Sequence, residues 1–334
     1  MRAVIVKEFG APAKLAVEDL EAPRLQPDEV LIEARAIGVN FPDLLVVAGE
    51  YQTLPALPFS PGKEVAGVVL HTGGDVTAPR TGERVMAQVE YGAYREQVVA
   101  KAAACTVLPD ELSFDKAAAF GLVYLTAYFG LVRRAALQAG EWVLVTGAGG
   151  GIGSAGVQLA KALGARVIAV ARKEDKRTLA LEQGADHAID AEPERLRDRV
   201  RNLTGGHGAD VVLESVGGEV FAQCLRALAW EGRLVVIGFA GGEIPTVKAG
   251  HLLVKNVTVI GLQASDYRDR EPASLQEAQR VLLDLQRQGR IDVPVTMRYP
   301  LAEAAAALEA VGSGRVRGKV VLTPDPPPAA TAST

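Results

Sequence analysis

Cysteine and histidine are scarce in this chain, which holds two cysteines and four histidines among 334 residues. Cys105 and Cys224 lie far apart in the sequence, which excludes a disulfide framework and a cysteine-rich zinc site. Such sparing use of cysteine is typical of a reducing, cytoplasmic compartment. The histidines are scattered and lack the spacing of metal ligands, so each is expected to be an ordinary surface or core residue.

The sequence also lacks a long apolar run and an excess of charge of one sign. No stretch approaches the ~20 apolar residues that span a bilayer, and residues 1–6 predict a strand rather than a signal peptide. The net charge is −4, with acids and bases spread along the chain, which argues against a nucleic-acid surface. Hydrophobic residues make up 49% of the chain, enough for two domains with cores of their own.

The texture of the sequence changes near residue 114. Before it, glycine and proline interrupt short apolar runs at spacings typical of a compact β fold. Residues 115–132 are alanine-rich and predict a helix, with Ser113 as its N-cap. Strands and helices then alternate, which predicts a parallel, doubly wound sheet. Its strands are expected at residues 142–146, 166–171, 187–189, 211–215, 234–239 and 257–262.

The segment after residue 262 is too short to form a domain of its own. It contains helices predicted at residues 274–288 and 302–311, and strands at 295–299 and 319–322. We expect it to return and complete the N-terminal domain. The last residues, 325–334, are rich in proline and alanine and predict a disordered tail.

A cluster of glycines follows the strand predicted at residues 142–146. Its pattern, Ala148-x-Gly150-x-x-Gly153, matches the dinucleotide-binding fingerprint except that alanine replaces the first glycine. Glycines let the backbone approach a pyrophosphate, and the helix predicted at 154–164 offers free N–H groups and the positive end of its dipole. A tight turn alone would also explain the glycines. The strand before them and the helix after them favour nucleotide binding, by Gly150, Gly151, Ile152 and Gly153.

Cofactor choice is indicated at the end of the next strand. A site for NAD normally has a carboxylate there, but this strand ends at Ala171 and is followed by Arg172 and Lys176. Two cations suit a 2′-phosphate and favour NADP. The alternative is a solvated basic turn, since Glu174 and Asp175 lie close by.

Motifs along the chain carry a family resemblance. They are GVNFPD at residues 38–43, PFSPGKEVAG at 58–67, GERV at 82–85, LTAY at 125–128 and GKVVL at 318–322. In these motifs the chain resembles the medium-chain dehydrogenase/reductase superfamily, specifically its zinc-free NADPH:quinone oxidoreductase (zeta-crystallin-like) branch. The resemblance implies an α/β architecture. A Rossmann doubly wound parallel sheet domain is expected at residues 123–262, and a GroES-like β-rich catalytic domain at 1–122 and 263–324.

The departures from the zinc alcohol dehydrogenases concern the metal ligands. Lys63 stands in the Gly62-Lys63-Glu64 triplet where those enzymes have a ligand histidine, and Asn40 stands near the position of a ligand cysteine. A protonated lysine cannot ligate zinc. We therefore expect no catalytic metal, and no Lewis acid that would activate a simple alcohol.

The resemblance also implies roles for individual residues. Asn40 would face the nicotinamide and the substrate, while Asp43 would support that loop. Tyr51 would either donate a hydrogen bond to a developing oxyanion or form a wall of the cleft. The remaining residues would bind cofactor: Thr126 at a helix start on the nicotinamide side, Arg172 and Lys176 on the 2′-phosphate, and Ser215, Gly238 and Phe239 along the ribose and nicotinamide.

These features predict an NADPH-dependent quinone oxidoreductase that transfers hydride without a metal, because a quinone can itself hold the incoming negative charge. One alternative is an NADPH-dependent reductase of enals, enones or enoyl thioesters. Another is a non-catalytic NADPH-binding protein with a structural or RNA-binding role. We expect a small-molecule partner, no nucleic acid and no membrane. A homodimer is also expected, because the apolar strand at 257–262 would lie at a sheet edge.

Overall fold

The computed structural model describes residues 1–324, so the tail predicted at 325–334 lies outside the described residues. In the described part, strands numbered in chain order are β1 (Arg2–Ile5), β2 (Ala16–Asp19), β3 (Glu29–Val39), β4 (Glu64–Thr72), β5 (Arg84–Gln88), β6 (Gln97–Lys101), β7 (Cys105–Val107), β8 (Trp142–Thr146), β9 (Arg166–Val170), β10 (His187–Ile189), β11 (Ala209–Glu214), β12 (Leu228–Val236), β13 (Thr258–Gly261), β14 (Val295–Pro300) and β15 (Lys319–Thr323). The α-helices are α1 (Phe41–Ala48), α2 (Phe114–Ala118), α3 (Gly121–Tyr128), α4 (Gly151–Ala162), α5 (Glu174–Glu182), α6 (Pro193–Leu203), α7 (Gly218–Ala227), α8 (Ala249–Lys255), α9 (Asp266–Arg270), α10 (Pro272–Arg287) and α11 (Ala304–Gly312). Across residues 1–324, every helix is too short or too polar to cross a bilayer.

The chain divides into two compact units, of which unit 1 contains residues 1–122 and the segment from Val295 onward. Its main sheet has the order β14-β15-β3-β4-β5-β7, with β6 paired to β3, and most pairs are antiparallel. Apolar residues of β3 and β4, such as Ile32, Ile37 and Val65, are fully buried in the core of this unit. The predicted β-rich fold is confirmed, and β14 and β15 return to it as expected.

Unit 2 is a six-stranded sheet of order β10-β9-β8-β11-β12-β13, in which every pair is parallel. Its central strands are apolar on both faces because helices cover them, and Leu144, Ile168 and Val212 are fully buried. The predicted doubly wound parallel sheet is confirmed. The winding direction reverses between β8 and β11, so ligands are expected at the carboxyl ends of these two strands.

The unit boundaries differ from the sequence prediction at one place. Residues 263–294, which were expected in the first domain, pack in unit 2. The apolar side of α10 is buried there, and the Tyr267 ring stacks on the Phe129 ring with centroids 3.9 Å apart. Only the chain from β14 onward completes unit 1. The amphipathic pattern of α10 predicts a buried face without indicating which core receives it.

The limits of two predicted elements differ most from the sequence prediction. The helix expected at residues 115–132 is broken into α2, α3 and a π-helical turn at Phe129–Arg134, although the Ser113 hydroxyl caps α2 by accepting from the Lys116 N–H. Strand β12 begins at Leu228 rather than at residue 234. A register shift in its pairing with β11 separates this early start from the apolar stretch that the sequence indicated.

Candidate functional site

The glycine turn joins β8 to α4 at the point where the winding direction reverses. Gly147 has φ of +60°, which favours glycine, and the Gly150 N–H donates to the Gly147 carbonyl at 2.9 Å. The turn is also tied to the next strand, because the Ala148 N–H donates to Val170 O. Helix α4 then starts at Gly151. The first N–H groups of a helix lack partners within it, so the start of α4 can bind an anion.

Glycine is required at the two fingerprint positions 150 and 153 for different physical reasons. A Cβ on Gly153 would overlap the Gly147 carbonyl oxygen and Ala148 Cα, so a side chain there is incompatible with the closed turn. A Cβ on Gly150 would meet only the Gly147 oxygen, at 3.4 Å, which is an ordinary contact. Glycine at position 153 is therefore needed for packing. At position 150 the protein leaves open space, as expected where the protein backbone approaches a ligand.

A buried carboxylate organises the loop after β11. Glu214 accepts hydrogen bonds from the Thr146 hydroxyl at 3.2 Å and from the N–H groups of Val216 and Gly217. Burial raises the pKa of Glu214 above its ordinary value. Ser215 completes the connection, since its N–H donates to the Thr146 hydroxyl at 3.0 Å. The sequence analysis did not select Glu214, although a carboxylate ending an apolar strand is a signal that could have found it.

The loop after β12 lies alongside this loop. Ala240 N–H donates to Ser215 O and Gly241 N–H donates to Val216 O, so Gly238 and Phe239 are held beside Ser215. The three residues selected for the ribose and nicotinamide are therefore brought together at the carboxyl edge of the sheet. Thr126, which was expected at a helix start, lies instead in the interior of α3 and is buried.

The predicted basic turn lies between β9 and α5. Arg172 is exposed, whereas Lys176 is half-buried and packs so closely on Gly149 that a Cβ there would overlap its side chain. Burial, together with the charge of Lys173, lowers the pKa of Lys176. The structure thus places Lys176 against the glycine turn. Lys173, which was not among the selected site residues, lies close enough to act on it.

In unit 1, Asn40 is the N-cap of α1 and belongs to a buried charged cluster. Its amide nitrogen donates to Glu64 Oε1 at 2.8 Å, and its Oδ1 accepts from Lys319 Nζ at 2.5 Å. Lys319 also pairs with Glu64 at 3.0 Å, and all three side chains are at most 4% exposed. Leu122 N–H donates to the second oxygen of Glu64. Both ends of the Asn40 carboxamide are therefore fixed by partners that the sequence analysis did not find.

Asp43 lies one helical turn after Asn40 and is fully buried. It accepts from the Asn40 N–H at 2.9 Å and from the Tyr94 hydroxyl at 3.1 Å. Burial raises the pKa of Asp43 to about 6, although the positive charge of Lys63 opposes this shift. These contacts tie Asp43 to the backbone of Asn40 and to Tyr94. The supporting role that the resemblance implied for Asp43 stays a prediction.

Tyr51 lies near Lys63, the residue found where zinc enzymes have histidine. The Lys63 ammonium is 4.6 Å from the centre of the Tyr51 ring and pairs with Glu90 at 2.7 Å. Its side chain is only 5% exposed. The half-buried Tyr51 also packs on the core of unit 1. A cation over the ring holds the tyrosine in place, and whether its hydroxyl reaches substrate stays a prediction.

Residues 1–324 contain no group of three or more histidine, cysteine, aspartate or glutamate side chains placed to hold a metal ion. The Lys63 ammonium is engaged by a carboxylate and by the Glu90 carbonyl oxygen at 2.9 Å. The zinc-independent chemistry expected from the sequence stays a prediction.

The chain matches two protein-family models and many known proteins. Residues 26–110 match the alcohol dehydrogenase GroES-like domain, and residues 151–280 match the zinc-binding dehydrogenase family. A relative from Nematostella vectensis, quinone oxidoreductase-like protein 2 homolog, is 40% identical over 96% of this chain and 88% of its own length. The chain belongs to the medium-chain dehydrogenase/reductase superfamily, in its quinone oxidoreductase branch. It is an oxidoreductase of that family.

Solved structures agree with this assignment. The quinone oxidoreductase of Escherichia coli, solved with NADPH, has a TM-score of 0.91 and 32% identity, covering 97% of this chain and 100% of that one. A mycobacterial protein, also solved with NADPH, has a TM-score of 0.92 and 34% identity over 97% of this chain and 100% of its own. The family expected from the sequence motifs is confirmed.

Proposed function

We propose that this protein is an NADPH-dependent quinone oxidoreductase that transfers hydride without a metal. The observation that carries the proposal is the juxtaposition of Lys176 with the glycine turn. It places the stem of a lysine side chain against the turn that leads into α4, while β9 is followed by Ala171 and Arg172 rather than a carboxylate. The two NADPH-bound structural relatives and the quinone oxidoreductase relatives support both cofactor and reaction.

The residues of unit 2 fit NADPH. Gly150 leaves space for the pyrophosphate, and the N–H groups at the start of α4 would bind it. Arg172 and Lys176 would hold the 2′-phosphate, and NADPH when bound supplies the hydride. The rest of the cofactor would lie along the residues at the carboxyl edge of the sheet and on α3: Ser215, Gly238, Phe239 and Thr126.

The residues of unit 1 would act on the acceptor. A quinone delocalises the incoming charge onto its oxygens, so the protein needs to orient it and stabilise an oxyanion rather than activate it. Asn40 and Tyr51 would do this, with Asp43 holding the loop. The Asn40 carboxamide is held at both ends, which suits a group that must keep one orientation.

The direct test is turnover of NADPH with a panel of quinones, enals, enones and enoyl thioesters. The proposal expects the highest kcat/KM with a quinone. A higher kcat/KM with an enal, an enone or an enoyl thioester would show that this compound, and not a quinone, is the preferred acceptor. Binding of NADPH without any turnover would indicate a non-catalytic protein.

Removing both basic side chains should reduce discrimination between the cofactors. In the Arg172→Ala/Lys176→Ala variant, we expect the Kd for NADPH to rise at least about tenfold, because charge-assisted phosphate contacts are lost. The Kd for NADH should change little. Calorimetric titration of wild type and variant with both cofactors measures this, and equal wild-type affinity for NADH and NADPH would contradict the 2′-phosphate assignment.

Replacing Tyr51 by phenylalanine tests its part in the reaction. We expect kcat with a quinone to fall about tenfold or less, since water can protonate a hydroquinone anion. The loss should be larger with an enone, whose enolate is a stronger base. Tyr91→Phe, at an exposed tyrosine, is the matched control. A loss of about a thousandfold with quinone, or no change with either acceptor, would contradict this role.

The protein is also expected to form a homodimer through the open edge of the sheet in unit 2. Strand β13 lies at that edge, as predicted, and Leu253 and Val254 of the preceding helix are 79% and 82% exposed. Light scattering should show a dimer for wild type and a monomer for Leu253→Lys/Val254→Lys. Val107→Lys, at an exposed valine on the edge strand β7, should remain dimeric. A wild-type monomer at micromolar concentration would contradict the proposal.

A further inference from the structure

Arg177 contacts the backbone of the short connection between β9 and α5, which carries the basic residues. It lies in the first turns of α5, and its Nη1 donates to Ala171 O at 3.0 Å and to Arg172 O at 2.6 Å. The same nitrogen lies 2.9 Å from Asp190 Oδ2, immediately after β10. One half-buried guanidinium therefore joins two successive carbonyls to the carboxylate that follows the neighbouring strand.

These contacts fix the direction of two peptide groups. The Ala171 carbonyl shares its peptide with the Arg172 N–H, and the Arg172 carbonyl shares its peptide with the Lys173 N–H. Both peptide bonds are trans, so each N–H points away from the carbonyl and from the Arg177 guanidinium. Within the described residues, neither N–H donates a hydrogen bond.

The free N–H groups lie on the connection that also carries the cations. Arg172 and Lys173 are exposed, and Lys176 packs on the glycine turn one helical turn later. Consecutive backbone N–H groups beside cationic side chains form an arrangement that binds anionic oxygens. Without the guanidinium, the connection would be free to rotate its peptides, and the N–H groups would lose their common direction.

We propose that Arg177, held by Asp190, is the positioning residue that gives this chain its selectivity for a 2′-phosphorylated cofactor. Arg177 acts through the backbone of Arg172 and Lys173 and does not itself contact the phosphate. The inference rests on the proposed use of NADPH. It adds that the preference depends on a fixed backbone as well as on the cationic side chains at positions 172 and 176.

The test is calorimetric titration of Arg177→Met with NADPH, NADH and 2′,5′-ADP. Methionine keeps an unbranched stem and removes the hydrogen bonds. We expect affinity for NADPH and for 2′,5′-ADP to fall about tenfold, the cost of poorly aligned charge-assisted contacts, while affinity for NADH stays within about twofold. Asp190→Asn keeps an acceptor but removes the charge, and should give a smaller loss in the same direction.

The matched control is Arg233→Met. Arg233 makes the same kind of contact, donating to Ala135 O at 3.0 Å and to both oxygens of Glu141 at 2.9 and 2.8 Å, but Glu141 precedes β8 at the opposite edge of the sheet. Arg233→Met should leave the ratio of the affinities for NADPH and NADH unchanged. The inference would be overturned if Arg177→Met reduced the affinities for NADPH and NADH equally. It would also be overturned if neither Arg177→Met nor Asp190→Asn changed the ratio of the two affinities. A wild type without NADPH preference would overturn the proposed cofactor itself.

Discussion

Lys319→Met is expected to reduce the free energy of unfolding by about 3–5 kcal/mol, because it leaves the Glu64 carboxylate buried without its cation. The Lys319 ammonium contacts Glu64 Oε1 at 3.0 Å and both side chains are almost fully buried. Solvent cannot replace the lost partner. Chemical denaturation monitored by circular dichroism measures the change, with the linear extrapolation applied to both proteins.

The double variant Lys319→Met/Glu64→Gln separates the lost pair from lost packing. Once the carboxylate is neutral, the penalty for the missing ammonium should be smaller, so the two substitutions should be less than additive. Lys14→Met removes a cation from an exposed pair with Glu8 and should leave the denaturation midpoint essentially unchanged. A Lys319→Met variant as stable as wild type would show that the buried charge has another source of compensation.

Gly153→Ala is expected to impair both folding and cofactor binding. The new Cβ would overlap the Gly147 carbonyl oxygen and Ala148 Cα, which are backbone atoms that cannot turn aside as a side chain would. Opening the turn should cost about 1–3 kcal/mol of stability. Because the start of α4 would move with the turn, we expect NADPH affinity to fall on the order of a hundredfold. Thermal unfolding and calorimetric titration measure the two effects.

Gly150→Ala distinguishes binding from folding at the same turn. Its Cβ would make only an ordinary contact with the protein, and its φ of −96° is open to alanine. We therefore expect nearly wild-type stability together with NADPH affinity reduced about tenfold or more, because the methyl group occupies the approach of the pyrophosphate. Gly74→Ala, with no atom within 4 Å of the new Cβ, is the control for both measurements. Wild-type NADPH affinity in Gly150→Ala would contradict the placement of the pyrophosphate.

The features that sequence analysis predicted well are local in the chain. Strand β8 has the predicted limits, because a short apolar run bounded by turn residues specifies a buried parallel strand. The half-buried edge strand β10 also has the predicted limits. The glycine turn could be predicted because it, too, is local in the chain. Strand, turn and helix follow each other within about twenty residues, so the spacing of Gly150 and Gly153 together with the flanking strand and helix indicates the geometry.

The features that sequence analysis missed join distant residues. Glu64 and Lys319 are 255 positions apart, and nothing near either residue indicates that the other neutralises it. Arg177 and Asp190 are 13 positions apart but lie on different elements, and their pairing depends on β9 and β10 being neighbours. The misassigned segment at residues 263–294 has the same origin, because an amphipathic helix such as α10 fits more than one core.

Anaerobic rapid mixing of the protein with one equivalent of quinone and either NADPH or NADH tests directly whether the protein transfers hydride from NADPH to a quinone. The absorbance of the reduced nicotinamide reports hydride loss in the first turnover. We expect one NADPH to be consumed per quinone, at a rate that is at least about tenfold above the rate with NADH when the cofactor concentration is low. Absence of NADPH oxidation with quinone, or equal rates with the two cofactors, would contradict it.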